Sequence, residues 1–140
     1  MKIVVIDGQG GRIGKTIIEQ IRKKLPNVEI IGVGANSIAS SSMLKAGATA
    51  CATGENAVVY NCGDADVICG VLGIAFANSM YGEISPEMAR AVSQSKAEKY
   101  LIPIRVKGLH VLGIPERPVL QYVLEMVEEI EKIDHGAPRP

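Results

Sequence analysis

The chain has 140 residues, 15 basic against 15 acidic side chains, no net charge and a hydrophobic content of 47%. That size and composition predict a single folded domain over residues 1–134 with a core of its own, and exclude a disordered or low-complexity chain. The charge balance argues against a nucleic-acid-binding surface, and the longest apolar run, eleven residues from Val67 to Ala77, falls short of the ~20 that cross a bilayer.

The first element is a β-branched strand, Lys2 to Ile6, which runs directly into a glycine-rich turn, Asp7-Gly8-Gln9-Gly10-Gly11-Arg12-Ile13-Gly14. A helix over about 12–24 follows, with Ile13, Ile17, Ile21 and Leu25 on one face and Arg22-Lys23-Lys24 as its solvated basic end. Leu25-Pro26-Asn27 breaks it, and Val28 to Gly34 reads as a second strand. Asn36-Ser37 caps a helix to about Lys45, stopped by Gly47, and Ala48 to Cys51 reads as a short third strand. A short helix near 56–61 leads to Val67–Leu72, a continuous apolar strand of the kind covered on both faces. Ser85-Pro86 starts a helix to about Lys96. Tyr100 to Val106 and Leu109 to Leu112 suggest two strands of an antiparallel pair turning at Lys107-Gly108. A long helix then ends near Ile133, with a flexible tail over 135–140.

Strands alternating with helices predict a three-layer, Rossmann-like α/β fold, a mainly parallel sheet with helices on both faces. In such a sheet ligands bind beyond the carboxyl ends of the strands. Four loops should share that edge: 7–12, 34–37, 53–56 and 73–83. They carry the polar residues that could act there. Glu55, Glu83 and Asp7 are the weak catalytic candidates, and Asn36, Ser37, Asn78 and Ser79 the candidate ligand contacts. Ala-Asn-Ser appears at both 35–37 and 77–79. Asn and Ser also serve as caps and turn formers, so either role fits each residue alone.

A strand, a glycine turn and a helix aim backbone N–H groups and the positive end of a helix at an anion. Gly8, Gln9, Gly10, Gly11, Arg12, Ile13 and Gly14 are therefore the candidate cradle for the phosphate of a nucleotide. The dinucleotide fingerprint is approximated rather than matched, because Ile13 stands where its third glycine belongs. The acid that grips an adenosine ribose at the end of the second strand is absent; Gly34-Ala35-Asn36-Ser37 stands there. Asp7 either repels a pyrophosphate or fixes the turn by accepting its amides. The rival reading, a nucleoside-triphosphate loop ending in Gly14-Lys15-Thr16, fails on spacing, since Gln9 sits where that loop needs glycine. Lys15 then faces solvent. No metal site is predicted, because His110 and His135 lie far from the cysteines. Cys51, Cys62 and Cys69 read as small apolar residues of a cytoplasmic protein with no signal peptide.

The segment Gly8-Gln9-Gly10-Gly11-Arg12-Ile13-Gly14 resembles the NAD(P)-binding loop of the dihydrodipicolinate reductases. The resemblance spans some twenty residues and implies a nicotinamide cofactor, but the chain lacks the substrate domain those reductases carry. Over nearly its full length the chain resembles a family of short Rossmann-like bacterial proteins of unknown function, found largely in anaerobic Gram-positive bacteria. That likeness rests on Val5-Ile6-Asp7-Gly8-Gln9-Gly10-Gly11, Gly34-Ala35-Asn36-Ser37-Ile38-Ala39, Ala52-Thr53-Gly54-Glu55-Asn56-Ala57 and Ala77-Asn78-Ser79-Met80-Tyr81-Gly82-Glu83-Ile84-Ser85-Pro86.

The apolar residues of the last helix, from Val119 to Ile130, spread over about 200° of the helical wheel, more than packing on one sheet face requires. The excess predicts a homodimer through that helix. Three functions stay open at this level: a nucleotide-binding protein with NAD(P) or another nucleotide at the glycine turn; an enzyme or sensor for a small polar metabolite held by Asn36, Asn78, Glu55 and Glu83; and an oligomeric subunit without a ligand.

Overall fold

The structure, a computed structural model, describes residues 1–104 and 106–136. The expected tail thus falls largely outside the described residues. Five parallel strands form one sheet in the order β3-β2-β1-β4-β5. They are β1 (Lys2–Asp7), β2 (Glu29–Gly34), β3 (Ala50–Thr53), β4 (Val67–Val71) and β5 (Glu98–Ile102). The chain therefore winds outward from β1 in one direction and then, crossing back through β4, in the other. The reversal lies between β1 and β4.

β1 and β4 form the middle of the sheet and are buried throughout, apart from Lys2. Their unbroken apolar character follows from helices covering both faces. Ile3 and Val5 face a layer containing α1 (Arg12–Lys24) and α5 (Val119–Asp134), whose Ile17, Ile18, Ile21, Val123 and Val127 fill that side of the core. α2 (Ser37–Ala46) packs beside α1 and adds Met43. Val4 and Ile6 face the opposite layer of α3 (Glu55–Cys62) and α4 (Pro86–Gln94), with Val58, Met88 and Val92.

Local chemistry sets the boundaries. Asn36 caps α2 by accepting the Ala39 N–H at 2.9 Å, and Gly47 ends it in a left-handed conformation (φ 117°). Ser85 caps α4 by accepting the Met88 N–H, with Pro86 at the first helical position. That helix stops two residues short of the expected Lys96. The Ser95 hydroxyl accepts the Ala97 N–H and donates to the Cys62 carbonyl, which turns the chain into β5. β3 begins two residues later than Ala48, because the Thr49 hydroxyl accepts the Ile30 N–H and displaces the first rung of the ladder. Cys51 accordingly sits inside β3.

The expected antiparallel pair is not formed. All five strands run parallel, and the described residues of 103–118 contain no strand. Pro103 follows β5 directly and brings no N–H to a ladder, and the chain then bends, with the Ile104 N–H bonded to the Ile102 carbonyl. Leu109 donates to Val106 across a turn at Lys107-Gly108, so Leu109 to Leu112 finds no strand to pair with, and His110 is exposed.

Candidate functional site

The register sets the C-terminal residue of β1, Asp7, beside the C-terminal residue of β2, Gly34. Asp7 is the last residue of the strand rather than the first of the turn, and it is 6% exposed. Its two carboxylate oxygens accept the Gly8 N–H at 2.8 Å and the Gly14 N–H at 2.6 Å. Gly14 lies in the first turn of α1, whose N-cap residue, Gly11, has no side chain to cap it. Asp7 therefore performs from the strand the task a capping side chain usually performs from the helix. Glycine at position 14 permits this approach, since a Cβ there would lie 2.8 Å from the Met43 sulfur and 3.0 Å from Asp7. Burial raises the Asp7 pKa above its ordinary value of 3.8; the two amide bonds and, on the other side, the charge of Glu83 modify the shift without reversing it.

Glu83 reaches the same turn from the loop after β4. One of its oxygens accepts the Gln9 N–H at 2.7 Å and the other the Asn36 side-chain amide at 2.6 Å. The Asn36 amide also donates to the Gln9 carbonyl at 3.0 Å. The amides of Gly8, Gln9 and Gly14 are thus occupied by the protein's own carboxylates. Gly11 donates back to the Gly8 carbonyl. Among the described residues, the N–H groups of Gly10, Arg12 and Ile13 have no protein acceptor, and Arg12 and Lys107 join none of the ion pairs.

Beside this turn, at the reversal between β1 and β4, lies a cleft of about 900 Å³. Asp7, Gly8, Gln9 and Ile13 form one wall. Val71, Gly73, Phe76, Ala77, Asn78, Ser79, Met80 and Tyr81 form the second, and Ile104, Val106, Lys107, Gly108 and Leu109 the third. The second wall departs from low-energy backbone. After the 3-10 turn Leu72–Ala75, Asn78, Met80 and Tyr81 all have φ between 57° and 66°, and Gln9 on the first wall has φ 49°. Such conformations cost of order 1–3 kcal/mol each and persist where the surroundings impose them. Here the loop bonds to itself, Asn78 to the Ile84 carbonyl and Glu83 to the Met80 carbonyl, while the Ser79 hydroxyl donates to the Gly73 carbonyl.

Of the residues singled out in the sequence, Asp7, Gly8, Gln9, Ile13, Asn78 and Ser79 line the cleft. Glu83 and Asn36 clamp the turn from outside it, and Gly10, Gly11, Arg12 and Gly14 complete the turn. Ser37 is exposed on the first turn of α2. Glu55 accepts the Ser85 hydroxyl between the starts of α3 and α4, and neither Ser37 nor Glu55 lines the cleft. Lys15 is exposed on α1. The wall that contains Ile104, Val106 and Lys107 departs from the expected strand pair, which would have carried those residues away from the edge. Pro103 was the signal against it. The cysteines lie off the site and are all free. Burial raises the thiol pKa of all three, that of Cys62 to about 11. Among the described residues no three potential metal ligands cluster, and no helix is long and apolar enough to cross a membrane.

The fold and this edge define a Rossmann-like protein with an open parallel sheet, a glycine turn after its first strand and a cleft at its topological switch point. Residues 2–135 match the family described as domain of unknown function DUF3842, and the chain belongs to that family. No curated protein matches the sequence. Among solved structures the chain is similar to a dodecameric FMN-dependent UbiX-like decarboxylase from Escherichia coli O157:H7. The identity is 14% and the TM-score 0.41, over 100% of this chain and 96% of that one.

Proposed function

We propose that the protein binds a nucleotide at the cleft between β1 and β4, with its phosphate at the mouth of the glycine turn. The observation that carries this reading is the coincidence of a partly apolar cleft of about 900 Å³ with the strand-order reversal, beside a helix start that retains free N–H groups. Cavities of roughly 300–1,000 Å³ at such reversals are the usual seats of small ligands in α/β sheets. Asp7 and Glu83 fill the inner amides, so the phosphate takes the outer ones: Gly10, Arg12 and Ile13, assisted by the Arg12 guanidinium and by Lys107. The ligand body lies against Ile104, Val106, Phe76 and Met80. No nucleophile and base pair up at this cleft among the described residues, so the reading is one of binding rather than of a particular reaction. Three free thiols suit a cytoplasmic setting.

Thermal unfolding with AMP, FMN, nicotinamide mononucleotide and inorganic phosphate tests the reading. A nucleotide at about 100 times its Kd stabilises the fold by about 2.7 kcal/mol, and Arg12→Ala weakens that ligand roughly 10-fold, as expected for loss of one charged phosphate contact. If no nucleotide shifts the unfolding temperature, the proposal fails.

A homodimer through α5 is the second part of the reading. Val123, Met126, Val127 and Ile130 are buried, whereas Leu120 and Leu124, one turn apart, stay 47% and 46% exposed. In light scattering the protein should run as a dimer, and Leu120→Glu with Leu124→Glu as a folded monomer. A monomeric wild type would remove this part of the proposal.

A further inference from the structure

The cleft lies entirely on one side of the glycine turn. Its walls come from the segments after β1, β4 and β5, and the segment joining β2 to α2 contributes nothing to them. In a dinucleotide-binding sheet the second nucleotide crosses the turn and lays its ribose at the end of β2. That crossing is closed here by three hydrogen bonds arranged in a ring. Glu83 accepts from the Gln9 amide and from Asn36, and Asn36 donates to the Gln9 carbonyl. The remaining polar atom of Asn36, its side-chain oxygen, is held by the Ala39 N–H in the cap of α2. Both amide hydrogens of Asn36 are therefore engaged and its oxygen already accepts one N–H, so Asn36 has no donor left to offer a ribose hydroxyl. The Ala35 N–H is likewise bonded to the Asp7 carbonyl, which draws the two loops together beneath the ring.

Charge acts in the same sense. A second phosphate would approach the Glu83 carboxylate, which already lies close enough to Asp7 to oppose its ionisation. A single phosphate at Gly10, Arg12 and Ile13 stays on the outer side of the ring. We infer that the ligand is a mononucleotide, one phosphate joined to one partly apolar ring system, and that Glu83, braced by Asn36, rejects the adenylated form of the same compound. This inference rests on the proposed nucleotide site and narrows it. Glu83 acts here as a specificity determinant, through occupied space and like charge.

Matched ligands that differ only by an added AMP test it: FMN against FAD, and nicotinamide mononucleotide against NAD, titrated calorimetrically into the full chain. The wild type should bind at least one mononucleotide roughly 10-fold or more tightly than its adenylated partner, the scale of discrimination expected from one steric and charged obstruction. Glu83→Ala should bring that ratio close to one by strengthening the dinucleotide, and Glu83→Gln, which keeps the shape and removes the charge, should lie between. Thermal unfolding of each variant verifies that it is folded, and Glu83→Gln serves alone if Glu83→Ala is not. Equal or tighter binding of FAD or NAD by the wild type overturns the inference while leaving the nucleotide site standing. So does a ratio that neither variant moves. If no member of either pair binds, the inference is refuted, and the site with it if AMP does not bind either.

Discussion

Gly34→Ala should lower the melting temperature by roughly 10 °C or more, or leave no folded protein to melt. A Cβ at position 34 would lie 2.4 Å from the Ser40 hydroxyl oxygen and 2.6 Å from both the Asn36 carbonyl oxygen and the Ser40 nitrogen. Two of these three atoms are backbone at the start of α2, so the clash is not relieved by rotating a side chain. The turn between β2 and α2 must open, which breaks the Asn36 cap and frees the Ser40 hydroxyl from the Ala52 carbonyl. Overpacking of a fixed backbone costs at least about 3 kcal/mol, the upper end of the usual range. Gly10→Ala is the control. A Cβ there meets nothing within 4 Å, so the change should leave the melting temperature nearly unaltered. Equal melting of Gly34→Ala and wild type would mean that the two loops do not pack this closely.

Asp7→Ala should destabilise the fold by about 3 kcal/mol in urea unfolding. It strands two amides, one of them in the first turn of α1, and a buried unpaired N–H costs about 1–3 kcal/mol. Asp7→Asn should cost less, since an amide side chain can satisfy one of the two donors. The pair also gives a pH test with a definite sign. Burial raises the pKa of Asp7, so the native state holds that proton more tightly than the unfolded chain does. The stability contributed by Asp7 is fully present below its ordinary value of 3.8 and is lost as pH rises through the raised native value. The advantage of wild type over Asp7→Asn should therefore narrow across that interval. An advantage that widens instead would show that the amide bonds outweigh burial.

The fold was readable because the dominant signals are local. Ile3 to Ile6 and Val67 to Val71 are continuous β-branched or apolar runs, and Gly8 to Gly14, Asn36, Gly47 and Ser85-Pro86 mark helix boundaries by turn and cap chemistry alone. Strand order and register are not local and came only with the structure. The site was half readable. The sequence displays the glycine turn and the polar residues of 73–83, but not the ring of Gln9, Asn36 and Glu83, whose members are up to 74 residues apart. Nor does it display Ile104 and Val106 as part of a wall of the cleft, because their β-branched pattern imitates a strand until Pro103 is given its weight. Asp7 was the opposite case. Both of its roles were visible, and the geometry favours the one in which it holds the turn together.

The order β3-β2-β1-β4-β5 has a consequence for the time course of synthesis. The strand that precedes all others in sequence ends at the centre of the sheet, and the chain first supplies its neighbours on one side only. β2 and β3 are available by Thr53, whereas the partner for the other edge of β1 starts at Val67. Until then Ile3, Val4 and Val5 present an unpaired apolar edge, a template for pairing with another chain. A nascent or truncated chain ending before residue 67 thus lacks the partner for this edge of β1, and β4 is the strand that covers it.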